Sequence, residues 1–136
     1  MATAKTFDAN LDRLLRRADF LACSKAPWKA RPTAVLQLRD RADGGRPRIG
    51  FTASKKVGNA VLRARAKRRL REAARTVLSP HARTGCDYVL VARPLTPACD
   101  WTRLLDDVEK ALLTLHAQMD ASDDGDGRSA SSPDTR

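Results

Sequence analysis

The chain has no apolar run approaching the ~20 residues that a membrane-spanning helix requires, which argues against an integral membrane protein. Its first twenty residues, MATAKTFDANLDRLLRRADF, carry charges with no continuous apolar core behind them, so no secretory signal is expected. Cysteine is scarce. Cys23, Cys86 and Cys99 are an odd number at wide, irregular spacing, which suits neither a disulfide framework nor a zinc knuckle. The two histidines, His81 and His116, are isolated, and no structural metal site is expected. The acids are spread over predicted helix surfaces and turns, so neither a nucleophile with its base nor the carboxylate cluster of a self-sufficient two-metal nuclease is visible. No repeat or second core is present. These absences leave a single small cytoplasmic domain as the expectation, with no membrane contact and no obligate protein partner.

What the chain has in excess is positive charge, +10 in 136 residues with a pI near 10.4. That balance favours a nucleic-acid partner. It concentrates in KKVGNAVLRARAKRRLREAAR, residues 55–75, where Lys55, Lys56, Arg63, Arg65, Lys67, Arg68, Arg69, Arg71 and Arg75 face one acid, Glu72. Helical spacing puts Leu62, Ala66, Leu70, Ala73 and Val77 on one apolar stripe and Ala64, Lys67, Arg68, Arg71 and Arg75 on the opposite face. With one acid in the stretch, i to i+4 salt bridges cannot neutralise this face, whereas phosphates can. The helix offers leucine and alanine rather than bulky insertion residues, which argues against a membrane surface. Arginine outnumbers lysine, which suits forked contacts to phosphate.

Around this stretch the pattern predicts a first helix over residues 8–24 capped by Asp8, and an extended or turning segment around Trp28 between Pro27 and Pro32. A strand over 33–39 follows, with Val35 and Gln37 on one side. Asp43-Gly44-Gly45 then signals a turn, and residues 48–54 read as the returning strand of a hairpin. Gly58 frees the chain to turn and Asn59 is placed to cap the basic helix, which Pro80 ends after Leu78. Residues 87–93 are the most apolar strand and read as central. Asp100 caps a last helix carrying Trp101, Leu104, Leu105, Val108, Leu112 and Leu115. Trp28 and Trp101 read as core or hinge residues. Residues 1–7 are expected to be a flexible terminus, 8–117 the folded domain, and 118–136 a disordered tail holding five aspartates and two arginines. The element order is that of an α+β two-layer sandwich in which the strands flanking the basic helix run parallel.

The segment FTASKKVGNAVLRARAKRRLREAAR, preceded by RRADFLAC and followed by DYVLVARP, resembles the protein subunit of bacterial ribonuclease P over roughly residues 10–117. That resemblance implies an α-β-β-β-α-β-α sandwich of ribosomal-protein type with a left-handed βαβ crossover, where base rate alone predicts a right-handed one. It implies a protein that assists a catalytic RNA subunit in removing the 5′ leader of precursor tRNA, with Mg²⁺ held mainly by that RNA and the substrate. The protein would then neutralise phosphate repulsion, position the leader and strengthen magnesium binding indirectly. Carried over by position, Lys55, Lys56, Gly58, Asn59, Arg63, Lys67, Arg68, Arg71 and Arg75 are the RNA-subunit contacts. Phe20, Gln37 and Arg93 are the leader contacts, and no catalytic residue is expected in the protein. From periodicity alone Phe20 reads equally as a core residue.

Two positions depart from the family pattern. The asparagine of the family's Arg-Asn, two residues, Lys-Arg hallmark is Ala64, which cannot hydrogen-bond RNA. Ser24 stands where an aromatic residue often follows Phe20 by one turn. A base stacked on an aromatic gains ~1–3 kcal/mol, so leader binding in this chain leans more on charge. A general RNA-binding or ribosomal-type protein without a role in cleavage is the alternative, and an autonomous nuclease a third reading.

Overall fold

A computed structural model describes residues 6–124 of the chain. Five strands, β1 (Asp12–Arg13), β2 (Trp28–Arg31), β3 (Ala34–Asp40), β4 (Arg48–Thr52) and β5 (Cys86–Ala92), form one mixed sheet in the order β1-β4-β5-β3-β2. Three α-helices, α1 (Arg17–Ser24), α2 (Ala60–Ala73) and α3 (Trp101–Asp124), pack on it. This is the α+β sandwich expected from the sequence, with β5 central.

Alternation along the strands gives the sheet two unlike faces. Leu36, Leu38, Ile49, Phe51, Tyr88 and Leu90 bury against Leu70 of α2 and Leu104, Val108, Leu112 and Leu115 of α3 in the main core. The opposite face carries Gln37, Gly50, Val89 and Val91 and, among the described residues, is covered by Phe20 and Cys23 of the short α1 and by Leu14 just before it. One closed face and one half-open face are what give the domain a cleft.

The predicted hairpin between β3 and β4 does not form. Asp43-Gly44-Gly45 does turn the chain, with the Gly45 amide donating to Asp43 Oδ1 at 2.9 Å, but β5 lies between the two strands. It pairs antiparallel with β3 from Ala34↔Ala92 to Asp40↔Cys86, and parallel with β4 from Arg48↔Asp87 to Thr52↔Val91. The predicted first helix is also shorter. Residues 8–16 run through a turn and β1, Asp8 Oδ1 accepts from the Asn10 and Leu11 amides in that turn, and helix begins only at Arg17. Leu11 and Leu14 mimic helical spacing while serving different cores, and Leu15 and Leu21 are exposed.

The basic helix changes pitch where a single long helix is expected. A π-turn over Ala74–Leu78 and a 3₁₀ turn over Ser79–His81 follow α2. The wider turn rotates the face inward at Ala74 and Leu78, leaving Val77 half-buried, while Leu62 at the other end of the predicted stripe is exposed. At the termini, Phe7 is buried against Phe51 with ring centroids 5.6 Å apart, so residues 6 and 7 belong to the fold. Helix α3 continues past residue 117 to Asp124, because Met119 packs on the core and Asp120 pairs with Arg83 at 2.8 Å. The rest of the predicted tail lies outside the described residues.

The core also contains a polar pair, Tyr88 and His116. The Tyr88 hydroxyl accepts from the Arg83 amide at 3.0 Å and is hydrogen-bonded to His116 Nε2 at 2.8 Å. Burial, reinforced by Arg83, pushes the His116 pKa down from 6.5 to about 4. Between those values the unfolded chain binds the proton and the folded chain does not, so the stability this histidine contributes is complete above pH ~6.5 and is lost as pH falls toward ~4. Thermal unfolding midpoints will therefore drop across this window, and His116→Gln will flatten the drop.

Candidate nucleic-acid interface

Strand β4 delivers the chain to a 3₁₀ turn, Lys55–Val57, whose Val57 is buried while Lys55 and Lys56 stay exposed. The Ser54 hydroxyl accepts from the Lys56 amide at 3.3 Å. Gly58 then adopts φ 143°, where a Cβ would also lie 2.6 Å from the Leu62 side chain, so glycine is required on both counts. Asn59 caps α2 by accepting from the Leu62 amide at 3.0 Å. Its carried-over role in RNA contact is thus joined to a structural one.

On α2, burial of Ala66, Leu70 and Ala73 fixes which side faces solvent. Lys67 and Arg68 are exposed, and Arg63 and Arg71 are half-buried, with Arg63 Nε enclosed and lacking a hydrogen-bond partner. Ala64 is exposed among them. Among the described residues, none of Lys55, Lys56, Arg63, Arg65, Lys67, Arg68 and Arg71 forms an ion pair. Arg75 differs. It pairs with Glu72 at 2.6 Å and lies over the Phe7 ring at 4.5 Å, which fastens the N-terminal segment to the helix.

Arg69, counted in the basic stretch, points the other way. Its guanidinium donates to the Thr96 carbonyl at 2.9 Å and the Cys99 carbonyl at 2.7 Å, and sits over Trp101 at 5.6 Å. It ties the loop before α3 to α2, and nothing in the local sequence distinguishes it from its neighbours. Trp101 and Trp28 are both exposed, which removes the core half of the core-or-hinge reading.

Of the three leader candidates, Phe20 and Gln37 lie on the half-open face of the sheet and Arg93 follows the end of β5. Phe20 leans so closely on Gly50 that a Cβ there would lie 2.5 Å from its ring. Gln37, half-buried, pairs in register with Val89 and Trp28. Arg93, just beyond β5, donates to the Arg31 carbonyl at 3.1 Å, and its amide donates to Thr96 Oγ1 at 2.7 Å. Cys23 sits beneath Phe20, its thiol pushed up by burial to about 11, and is inert at neutral pH.

Two acids expected on the surface are instead buried. Asp87 on β5 accepts from Arg39 at 3.3 Å, Arg41 at 2.6 Å and Arg48 at 2.8 and 2.9 Å, with Asp19 of α1 completing the cluster through Arg39 and Arg48. It pins β3, β4 and α1 to the central strand and fixes one end of the cleft. Asp107 on α3 accepts from the Thr33 amide and hydroxyl and from Arg31. Burial pushes its carboxyl up, yet these donors hold it below the usual carboxylate range. No three His, Cys, Asp or Glu among the described residues converge as a metal site.

A family profile described as Ribonuclease P matches residues 9–116. The chain is 54% identical over 110 residues to the ribonuclease P protein component of Caulobacter vibrioides, covering 80% of this chain and 74% of that one. It is 50% identical over 107 residues to the component from Ruegeria pomeroyi, covering 76% and 86%. Among solved structures it is similar to the Staphylococcus aureus RNase P protein, with a TM-score of 0.63 at 25% identity over 79% of this chain and 96% of that one. The Thermotoga maritima protein gives 0.56 at 27%, over 76% and 93%.

Proposed function

This chain belongs to the ribonuclease P protein family, and from that membership we propose that its cationic turn and helix bind the RNA subunit while the half-open sheet face holds the leader of a precursor tRNA. Members of the family are subunits of an endoribonuclease of tRNA processing, and the partner that follows from membership is the ribonuclease P RNA. The observation that supports this division of labour is that, among the described residues, Lys55, Lys56, Arg63, Lys67, Arg68 and Arg71 form no ion pair, while Phe20 and Gln37 lie on the separate half-open face of the sheet. Unpaired guanidinium and ammonium groups release phosphate counterions on contact, a sequence-independent gain suited to a folded RNA. A half-buried aromatic with flanking polar groups suits an unstacked strand.

Magnesium, in this reading, is held by the RNA subunit and the precursor. The protein's own buried acids do not fit it, since Asp87 is enclosed by three guanidinium groups and Asp107 by Thr33 and Arg31. In this reading the protein works in the cytoplasm, alongside precursor processing. No described helix is long and apolar enough to cross a membrane.

The test is to add the protein to a bacterial ribonuclease P RNA at low Mg²⁺ and follow cleavage of a precursor tRNA. We expect marked stimulation. Stimulation no greater than that given by an unrelated basic peptide would favour a general RNA-binding role instead.

A further inference from the structure

The proposed RNA contacts of α2 occupy one flank of the helix. At helical spacing from the buried line of Ala66, Leu70 and Ala73, Arg63, Lys67 and Arg71 lie to one side, and Leu62, Arg65 and Arg69 to the other. The second flank meets the loop before α3, where Trp101 stands with 38% of its surface exposed. Arg69 covers one face of this indole, its guanidinium 5.6 Å from the ring centroid, and its bonds to the Thr96 and Cys99 carbonyls at 2.9 and 2.7 Å hold it there. The ring is thus backed by a fixed group while the rest of it meets solvent. Leu62 on the same flank and Leu95 in the same loop are also exposed. Arg65, one turn before Arg69, is an exposed cation that forms no ion pair among the described residues.

An aromatic ring already immobilised loses little side-chain freedom when a second ring stacks on it, and a neighbouring unpaired guanidinium suits the phosphate of the same nucleotide. Charge argues against a second copy of this chain as the occupant. The one acid of α2, Glu72, is paired with Arg75, so two copies meeting here would set Arg65 against Arg65. We propose that Trp101 stacks on one unpaired base of the RNA subunit while Arg65 contacts an adjoining phosphate, so that RNA holds α2 along both flanks. This rests on the RNA-subunit reading above and adds to it a requirement that charge alone lacks, a base displaced from its helix at one place in the RNA.

Trp28 and Trp101 are the only tryptophans of the chain, so Trp28→Phe leaves Trp101 as the single indole reporter. Titrating this variant with a bacterial ribonuclease P RNA, in the absence of precursor, should quench most of its indole fluorescence. An RNA duplex without unpaired bases should bind by charge and quench little. In the full chain, Trp101→Leu should weaken binding to the RNA subunit about fivefold to tenfold at an unchanged salt slope, and Trp101→Phe should recover most of the loss. Arg65→Gln should instead lower the magnitude of the salt slope by about one. Should Trp101→Leu fail to fold, the quenching experiment still decides, because it keeps Trp101. Binding of the RNA subunit without quenching, or equal quenching by the duplex, would overturn the stacking site and leave the RNA-subunit reading in place. If the wild-type protein does not prefer the RNA subunit to the duplex, that reading fails and the site with it. Quenching that grows with protein concentration in the absence of RNA would assign the surface to a second copy and overturn the proposal.

Discussion

Replacing Asp87 with asparagine will destabilise the fold by about 3 kcal/mol, because it leaves Arg39, Arg41 and Arg48 converging on a neutral side chain in a fully buried position. Asparagine keeps the shape and some acceptor capacity, so the loss reports the charge. The three arginines retain partial exposure, which sets the effect near the lower end of what breaking a buried pair costs. Urea unfolding will show it as a lower midpoint at unchanged slope. A change below ~1 kcal/mol would mean that the guanidinium groups swing into solvent at no cost, and the cluster would then be no clamp.

Converting Lys67, Arg68 and Arg71 together to glutamine will weaken binding to the RNA subunit by about 100-fold or more at physiological salt. Among the described residues none of the three has an ion-pair partner to lose, so the thermal midpoint should hold or rise as self-repulsion is relieved. The salt slope should fall in proportion to the phosphate contacts removed. Changing Arg69 instead should give the opposite signature. Its bonds go to the Thr96 and Cys99 carbonyls, so Arg69→Gln will lower stability while the salt slope stays near the wild-type value. Binding loss with an unchanged slope in the triple variant would remove these side chains from the RNA contact.

Much of the interface is legible in the sequence because it is local. The glycine turn, the Asn59 cap and the exposed face of α2 depend on neighbours within a few residues, and there chemistry at fixed spacing decides the conformation. The failures that shape the sheet and its clusters are nonlocal. The turn at Asp43-Gly44-Gly45 is present, but whether its two strands pair depends on β5, about forty residues later, and an interior strand with two open sides takes both. Asp87 and Asp107 look like surface acids until arginines from β2, β3 and β4 are brought to them. The leucines of residues 11–21 follow helical spacing, but a period does not reveal that Leu11 and Leu14 are drawn to different cores. Arg69 is hidden for the same reason, since its partners are carbonyls of a distant loop.

The position of β5 between β3 and β4 also sets an order of events during synthesis. Residues 34–52 leave the ribosome without the strand that joins them, and the cations of residues 55–75 follow, still before Cys86–Ala92. Nonlocal pairing of this kind is slow relative to helix formation. For that interval the nascent chain presents concentrated positive charge with no surface to organise it, and RNA met then is held by charge alone. On the proposed function, selectivity for one RNA would begin only when β5 closes the sheet, so the chain would be a polycation early in its life and a reader of shape only later.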